Sequence, residues 1–206
     1  MIPQAKQWLN EARRIAVLTG AGISAESGVP TFRGPDGLWR THKPEDLATP
    51  GAFARDPKLV WEWYDWRRSV LSGVEPNPGH HALAALEDRT PEFELVTQNV
   101  DGLHERAGSR RVHRLHGSIW RLRCTECGAE NNDDRVPLPQ IPPRCGCGAL
   151  VRPGVVWFGE PLPEKEWTAA ERAAAACDLF IVVGTSAQVY PAASLIPLAA
   201  RAGARI

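Results

Sequence analysis

The apolar run Ile15-Ala16-Val17-Leu18 breaks at once into Thr19-Gly20-Ala21-Gly22-Ile23-Ser24-Ala25-Glu26-Ser27-Gly28. A buried strand ending in glycines and small residues lets an α/β domain bring backbone N–H groups close to a dinucleotide pyrophosphate. The spacing departs from G-x-G-x-x-G, because Ala25 stands where the third glycine is expected. On glycines alone the stretch reads equally as a cofactor loop and as an ordinary strand-to-helix turn. The chain repeats the pattern, however. Residues 93–97 and 179–183 are also short apolar runs, ending in Gln98-Asn99-Val100-Asp101-Gly102-Leu103-His104 and in Gly184-Thr185-Ser186. Alanine-rich stretches at 80–88 and 169–176 have helical character. Such alternation predicts a parallel sheet covered by helices, with ligands at the carboxyl ends of the strands. All three polar blocks fall at those ends.

Two insertions interrupt this order. Residues 35–78 are rich in tryptophan and proline and predict a few short helices. Within them Trp61, Trp63 and Trp66 crowd together, which predicts the wall of an apolar groove. Residues 118–153 carry four of the five cysteines: Cys124-x-x-Cys127, then 17 residues, then Cys145-Gly146-Cys147. In a chain without a secretion signal, clustering favours a metal over disulfides, and four thiolates read as a structural Zn²⁺ site. The second half is tighter than the usual C-x-x-C knuckle and predicts strained ligand geometry. Cys177, in an alanine-rich run, reads as an apolar filler.

Lysine plus arginine balances aspartate plus glutamate at 24 each, so no overall field draws the chain to nucleic acid or membrane. Arg106, Arg110, Arg111, Arg114, Arg121 and Arg123 form a local basic stretch, read as solvated surface beside a charged cofactor. Residues 1–14 lack an apolar leader core, and no apolar run reaches membrane-spanning length. A soluble cytoplasmic protein is expected.

Thr31-Phe32-Arg33-Gly34 and His116-Gly117 join the three strand-end blocks to make five. In that order they resemble the sirtuins, the NAD-dependent protein-lysine deacylases, and bacterial members in particular, over residues 15–206. The resemblance implies a Rossmann-like parallel sheet with helices on both faces, formed by residues 1–34, 79–117 and 154–206. It also implies a small domain of residues 35–78 and 118–153, made of the helical insertion and the zinc module, with an acyl-lysine channel in the cleft between. NAD would be held by Gly20, Ala21, Gly22, Ile23 and Ser24, by Phe32 and Arg33, by Gln98, Asn99 and Asp101, and by Gly184, Thr185 and Ser186. Sirtuins continue beyond the point matching Gly203-Ala204-Arg205-Ile206, which reads as the start of a further strand. The chain is therefore expected to be truncated there, with a weakened hold on the cofactor.

Deacylation with NAD requires a carboxamide held as it departs, an acyl oxygen brought to the ribose, and a base for a ribose hydroxyl. A neutral imidazole suits the last task. By resemblance His116 is that base, Asn99 and Asp101 line the nicotinamide pocket, and Gln98 contacts the nicotinamide ribose. By residue type alone, a histidine beside glycine is commonly structural and 99–102 is an Asx turn. His42, His80, His81, His104 and His113 are assigned capping, packing or surface roles. Val156, Trp157, Phe158, Gly159 and Glu160 match the segment that pairs with the substrate backbone as an added strand, though an ordinary apolar strand has the same composition.

Tyr64 and Arg67, at i and i+3, share one face of a helix. A guanidinium and a phenol hydroxyl together suit a carboxylate, although stacking among tryptophans is the structural alternative. Sirtuins that prefer succinyl-, malonyl- or glutaryl-lysine carry such a Tyr-x-x-Arg pair, and Ala48-Thr49-Pro50 also resembles that branch. The expected function is removal of succinyl or malonyl, and more weakly acetyl, groups from acylated-lysine proteins. The products would be nicotinamide, O-acyl-ADP-ribose and free lysine. Mono-ADP-ribosyl transfer and a non-catalytic NAD or ADP-ribose sensor stand as alternatives.

Overall fold

The structure, a computed structural model, describes residues 2–32, 37–38 and 43–206. Arg33, expected at the cofactor, and His42 lie outside the described residues. The strands are β1 (Arg14–Thr19), β2 (Glu92–Thr97), β3 (Val112–Arg114), β4 (Gly117–Cys124), β5 (Glu130–Asn132), β6 (Val151–Val155) and β7 (Leu179–Val183). One parallel sheet has the order β3-β2-β1-β7, and a second, antiparallel sheet has the order β5-β4-β6.

Alternating side chains of the central strands feed two separate cores, which is why these strands read as unbroken apolar runs. Ala16, Leu18, Val96 and Phe180 pack with α7 (Glu164–Ala176) and α8 (Leu195–Arg201). Ile15, Val17, Phe93 and Leu95 pack on the other side with Leu83 of α5 (Pro78–Arg89) and Trp8 of α1 (Ile2–Glu11). The expected α/β sheet with helices on both faces is therefore present. Register then builds the site: Thr19 lies beside Thr97 and Val183, so the three polar blocks leave the sheet at one level.

The helical insertion holds α2 (Pro44–Leu47), α3 (Pro50–Arg55) and α4 (Pro57–Ser72). The Asp56 carboxylate accepts from the Leu59 amide at 2.9 Å, and Pro57 fills the first helical position, so α4 starts on strong local signals. Its apolar face packs on Leu122, Val151 and Val155 of the second sheet. The predicted tryptophan wall is not formed as a unit. Spacings of two and three residues rotate the rings around the helix. Trp61 is fully buried and donates to the Val151 carbonyl at 2.7 Å, Trp66 is exposed, and Trp63 alone of the three reaches the cleft.

The basic stretch is solvated as expected but does not border the cleft. Arg106 pairs with Glu75, Arg110 with Asp88 and Arg114 with Glu105, while Arg121 and Arg123 share Glu130. None of these arginines lines the central cleft. At the other edge, the Phe180 amide donates to the Arg205 carbonyl at 2.8 Å, so residue 205 runs beside β7 as a strand would.

Candidate active site

A cavity of about 350 Å³ opens above the carboxyl ends of the parallel strands. Gly20, Ala21, Gly22, Phe32, Gln98, Asn99, His116 and Gly184, Thr185 and Ser186 line one part of it. Tyr64 and Arg67 of α4 line another, with Ala48 and residues 155–160. The sequence-predicted groups from five separate blocks thus share one cleft.

The glycine loop is shaped first by the protein itself. The Gly22 amide donates to the Gly184 carbonyl at 2.7 Å, and a Cβ on Gly22 would lie 2.8 Å from that oxygen. Gly184 has φ +62, and its own Cβ would meet the Ile23 nitrogen at 2.2 Å. These glycines are required where two strand-end loops touch. Gln98 ties the third loop in, its side-chain amide donating to Thr185 Oγ1 at 3.0 Å.

His116 Nδ1 lies 3.0 Å from the Gln98 carbonyl, an acceptor, so the proton sits on Nδ1. Nε2 is left as a lone-pair site, with no partner among the described residues. Burial lowers the His116 pKa from its usual value, opposed by the Gln98 hydrogen bond, so the ring is neutral at physiological pH. Gly117, at φ +76, lets the Gly154 carbonyl pass where a Cβ would stand 2.2 Å away. The glycine beside His116 thus admits β6, a protein strand.

Asn99 lines the cavity, while Asp101 and Ser24 are buried behind it. The Asn99 amide donates to the Gly20 carbonyl and to Ser24 Oγ, both at 3.2 Å. Ser24 Oγ donates to Asp101 Oδ2 at 2.9 Å, and Asp101 Oδ1 accepts from the Leu103 amide at 2.9 Å. Each oxygen of the Asp101 carboxylate thus accepts one hydrogen bond from the protein, and the carboxylate orients the wall from behind.

Two histidines extend this network further than residue type indicated. His80 caps α5, its Nδ1 accepting from the Asn77 amide at 3.2 Å, so Nε2–H points to Ser24 Oγ at 3.4 Å. Asn77-Pro78-Gly79-His80 carries a capping-box spacing, a signal for the first contact but not the second. His104 packs edge-on against His80, ring centres 4.9 Å apart, and meets Thr19 Oγ1 at 3.0 Å. Burial lowers its pKa to about 4, which keeps it neutral.

The acyl end is bonded differently. Tyr64 Oη accepts from Trp157 Nε1 at 2.9 Å. Arg67 is 8% exposed and makes no hydrogen bond or ion pair with any described residue. Its guanidinium carbon sits 4.7 Å from the Phe32 ring centre and 4.9 Å from that of Trp63. Burial lowers the Arg67 pKa, countered by Tyr64 and Asp101.

β6 ends at Val155, and residues 156–160 turn rather than continue as a strand. The Val156 amide donates to the His116 carbonyl, the Phe158 amide to the Ala48 carbonyl, and the Trp157 amide to Glu160 Oε2. Glu160 also takes Arg152 Nη1 at 2.5 Å and Nη2 at 2.8 Å, so its carboxylate braces the turn.

The cysteine cluster fits Zn²⁺. Cys124 and Cys147 sulfurs are 3.5 Å apart, Cys127 and Cys145 are 3.7 Å apart, and all four lie within 4.8 Å. Sulfurs tetrahedrally placed at about 2.3 Å from zinc stand about 3.8 Å apart, close to the two shortest separations here, so the four thiolates can close on one ion. Amides of Glu126 and Cys127 lower the Cys124 pKa to about 6. At Cys127 the Ala129 amide is outweighed by the crowded thiols, which push its pKa up to about 11, so the first thiolate forms at Cys124. Cys177 is buried among alanines and apart from the cluster.

Among the described residues no helix is long and apolar enough to cross a membrane. The Sir2 family model matches residues 20–191. An NAD-dependent protein deacylase of Aquifex aeolicus is 58% identical over 197 residues, covering 95% of this chain and 82% of that protein. One of Mycobacterium tuberculosis is 52% identical over 199 residues, covering 94% and 84%. A solved Sir2 homologue variant in complex with ADP-ribose superposes with a TM-score of 0.97 at 48% identity, covering 100% of this chain and 83% of that one. A Sir2 homologue–NAD complex gives 0.93 at 49% identity, covering 99% and 80%. Matched in sequence across most of its length and in shape to homologues bound to NAD and ADP-ribose, this chain is an enzyme of the Sir2 family, with NAD as its cofactor.

Proposed function

We propose that this enzyme is an NAD-dependent protein-lysine deacylase whose cleft favours acidic acyl groups, succinyl and malonyl, and which removes acetyl more weakly. The observation that carries the preference is Arg67, a buried guanidinium packed among rings and without an ion pair or hydrogen bond to any described residue. A buried cation is costly unless a counter-charge arrives, and a substrate carboxylate supplies one. Tyr64 adds a hydroxyl donor beside it, and Ala48 presents only a methyl group to the same cavity. An acetyl group would leave Arg67 as it is now.

NAD supplies an electrophilic ribose carbon and a leaving nicotinamide. On this reading residues 1–34, 79–117 and 154–206 hold it, and residues 35–78 and 118–153 form the small domain. Gly20 to Gly22 and Gly184 to Ser186 bracket its phosphates and ribose, with Ile23 and Ser24 buried behind the loop, and Gln98 meets the nicotinamide ribose. Asn99 holds the departing carboxamide, and Asp101 keeps Ser24 and Asn99 in place. Phe32 shields the reacting carbon from water. His116, with its proton on Nδ1, accepts a ribose-hydroxyl proton at Nε2. The acyl-lysine protein lies along residues 156–160; because four amides of that turn are engaged internally, pairing falls to Gly159 and to the carbonyls. Cys124, Cys127, Cys145 and Cys147 hold zinc as a structural pin.

The test is NAD-dependent turnover of matched succinyl- and acetyl-lysine peptides, followed by mass spectrometry. Faster succinyl removal supports the reading. Acetyl removal alone would leave Arg67 a packing residue. Nicotinamide release with ADP-ribose retained on protein would replace hydrolysis by group transfer.

A further inference from the structure

Trp157 occupies an unusual place, since it belongs to the turn beside the cleft yet its ring bonds to the acyl-selecting helix. A phenol has one hydrogen to donate and two lone pairs. The Trp157 indole N–H, which only donates, takes one lone pair of Tyr64 Oη at 2.9 Å. That contact is the only hydrogen bond of Tyr64 among the described residues, so its own hydrogen has no acceptor there. A hydroxyl that accepts one hydrogen bond becomes a stronger donor in the next, and its hydrogen is turned away from the indole.

The indole cannot swing freely. The Arg152 guanidinium carbon lies 3.5 Å from the ring centre, and the Phe53 ring packs at 5.4 Å. Glu160 accepts from both Arg152 and the Trp157 amide, which fixes ring and backbone to one carboxylate. Both Trp157 and Tyr64 are buried, so water does not compete for the bond.

We propose that Trp157 is a specificity-positioning residue: its indole N–H fills one lone pair of Tyr64 Oη and so commits the Tyr64 hydrogen to the substrate carboxylate held by Arg67. This rests on the acidic-acyl reading above. Selectivity then depends on a brace that reaches from Glu160 and Arg152 through Trp157 to Tyr64, and not on the Tyr64/Arg67 pair alone.

The test is the ratio of kcat/KM for succinyl- over acetyl-lysine peptide in wild type, Trp157→Phe, Tyr64→Phe and the double variant. Trp157→Phe should lower that ratio about 3- to 10-fold, the effect of one hydrogen bond. In the Tyr64→Phe background the same substitution should change the ratio less than about 2-fold, because the partner is already gone. Benzothienylalanine at 157, which keeps the two-ring shape without the N–H, should reproduce Trp157→Phe even if the phenylalanine variant folds poorly. An unchanged ratio in both 157 variants, or effects of Trp157→Phe and Tyr64→Phe that multiply, would overturn the proposal while leaving the acyl preference standing. A wild-type enzyme with no succinyl preference would overturn both.

Discussion

Arg67 and Arg68 are neighbours on α4, both buried, and their surroundings could hardly differ more. Arg68, fully buried, donates to the carbonyls of Ile119, Asp133 and Arg135 at 3.0, 2.5 and 2.9 Å. It ties α4 to β4 and to the loop leading toward the zinc module. Arg67 lines the cavity and packs against the rings of Phe32, Trp63 and Tyr64. Both terminal nitrogens of Arg68 are bonded by the fold, with only its Nε unbonded; on the proposed reading, Arg67 gains its hydrogen bonds when an anion enters. A buried charge kept without a partner is a cost that stability alone does not explain. On the proposed reading, the contrast separates a residue that builds the site from one that reads the substrate.

The largest effect should fall outside this pair. His116→Ala is expected to lower turnover of succinyl and acetyl peptides alike, by about 10²- to 10⁴-fold, the usual worth of a general base. A selective loss would mean that the histidine also reads the acyl group. Because burial holds the His116 pKa below its usual 6.5 and the neutral ring is the base, kcat/KM should be level above that pH. It should then fall as acid protonates Nε2. A profile that rises toward acid would remove His116 from the role.

Arg68→Met comes next and acts on stability. Three carbonyls lose a charged donor, so urea unfolding at neutral pH should show a loss of about 3 kcal/mol. The succinyl-to-acetyl ratio should change little. Arg67→Met should do the reverse. The ratio is expected to drop about 30-fold, in line with roughly 2 kcal/mol for a charged hydrogen-bonded pair. Stability should rise by about 1 kcal/mol, since a desolvated charge is removed. Should both variants destabilise equally, the distinction between the neighbours would collapse. Smallest of all, free succinate near its dissociation constant should raise the wild-type Tm by about 1 °C and leave Arg67→Met unmoved. A shift of the same size in both proteins would place the anion elsewhere.

Much of this was readable along the chain. The parallel sheet and its ligand-bearing edge follow from three apolar runs that end in polar blocks, because in-register parallel strands end side by side. The zinc cluster was readable because each pair of ligands is close in sequence. The tryptophans of α4 were misread as one wall, since a helix turns residues two apart, such as Trp61 and Trp63, to different sides. Residues 156–160 were read as the segment that pairs with the substrate backbone; the turn they form, braced by Glu160 reaching back to Arg152, was not legible. Neither Asp101 behind the wall nor the contact of His80 with Ser24 was legible, because both rest on pairings between distant segments.

The sequence by itself determined the α/β architecture, the four-thiolate module, and the identity of His116, Tyr64 and Arg67 as the groups worth following. Periodicity and short spacings are local properties, and the backbone obeys them wherever the segment lies. Only the tertiary structure decided which of two adjacent arginines would be satisfied, which tryptophan would reach the cleft, and which lone pair of Tyr64 would be filled. Those outcomes depend on where carbonyls and rings from Ile119, Phe32 and Trp157 arrive, and no single stretch of chain encodes that arrival.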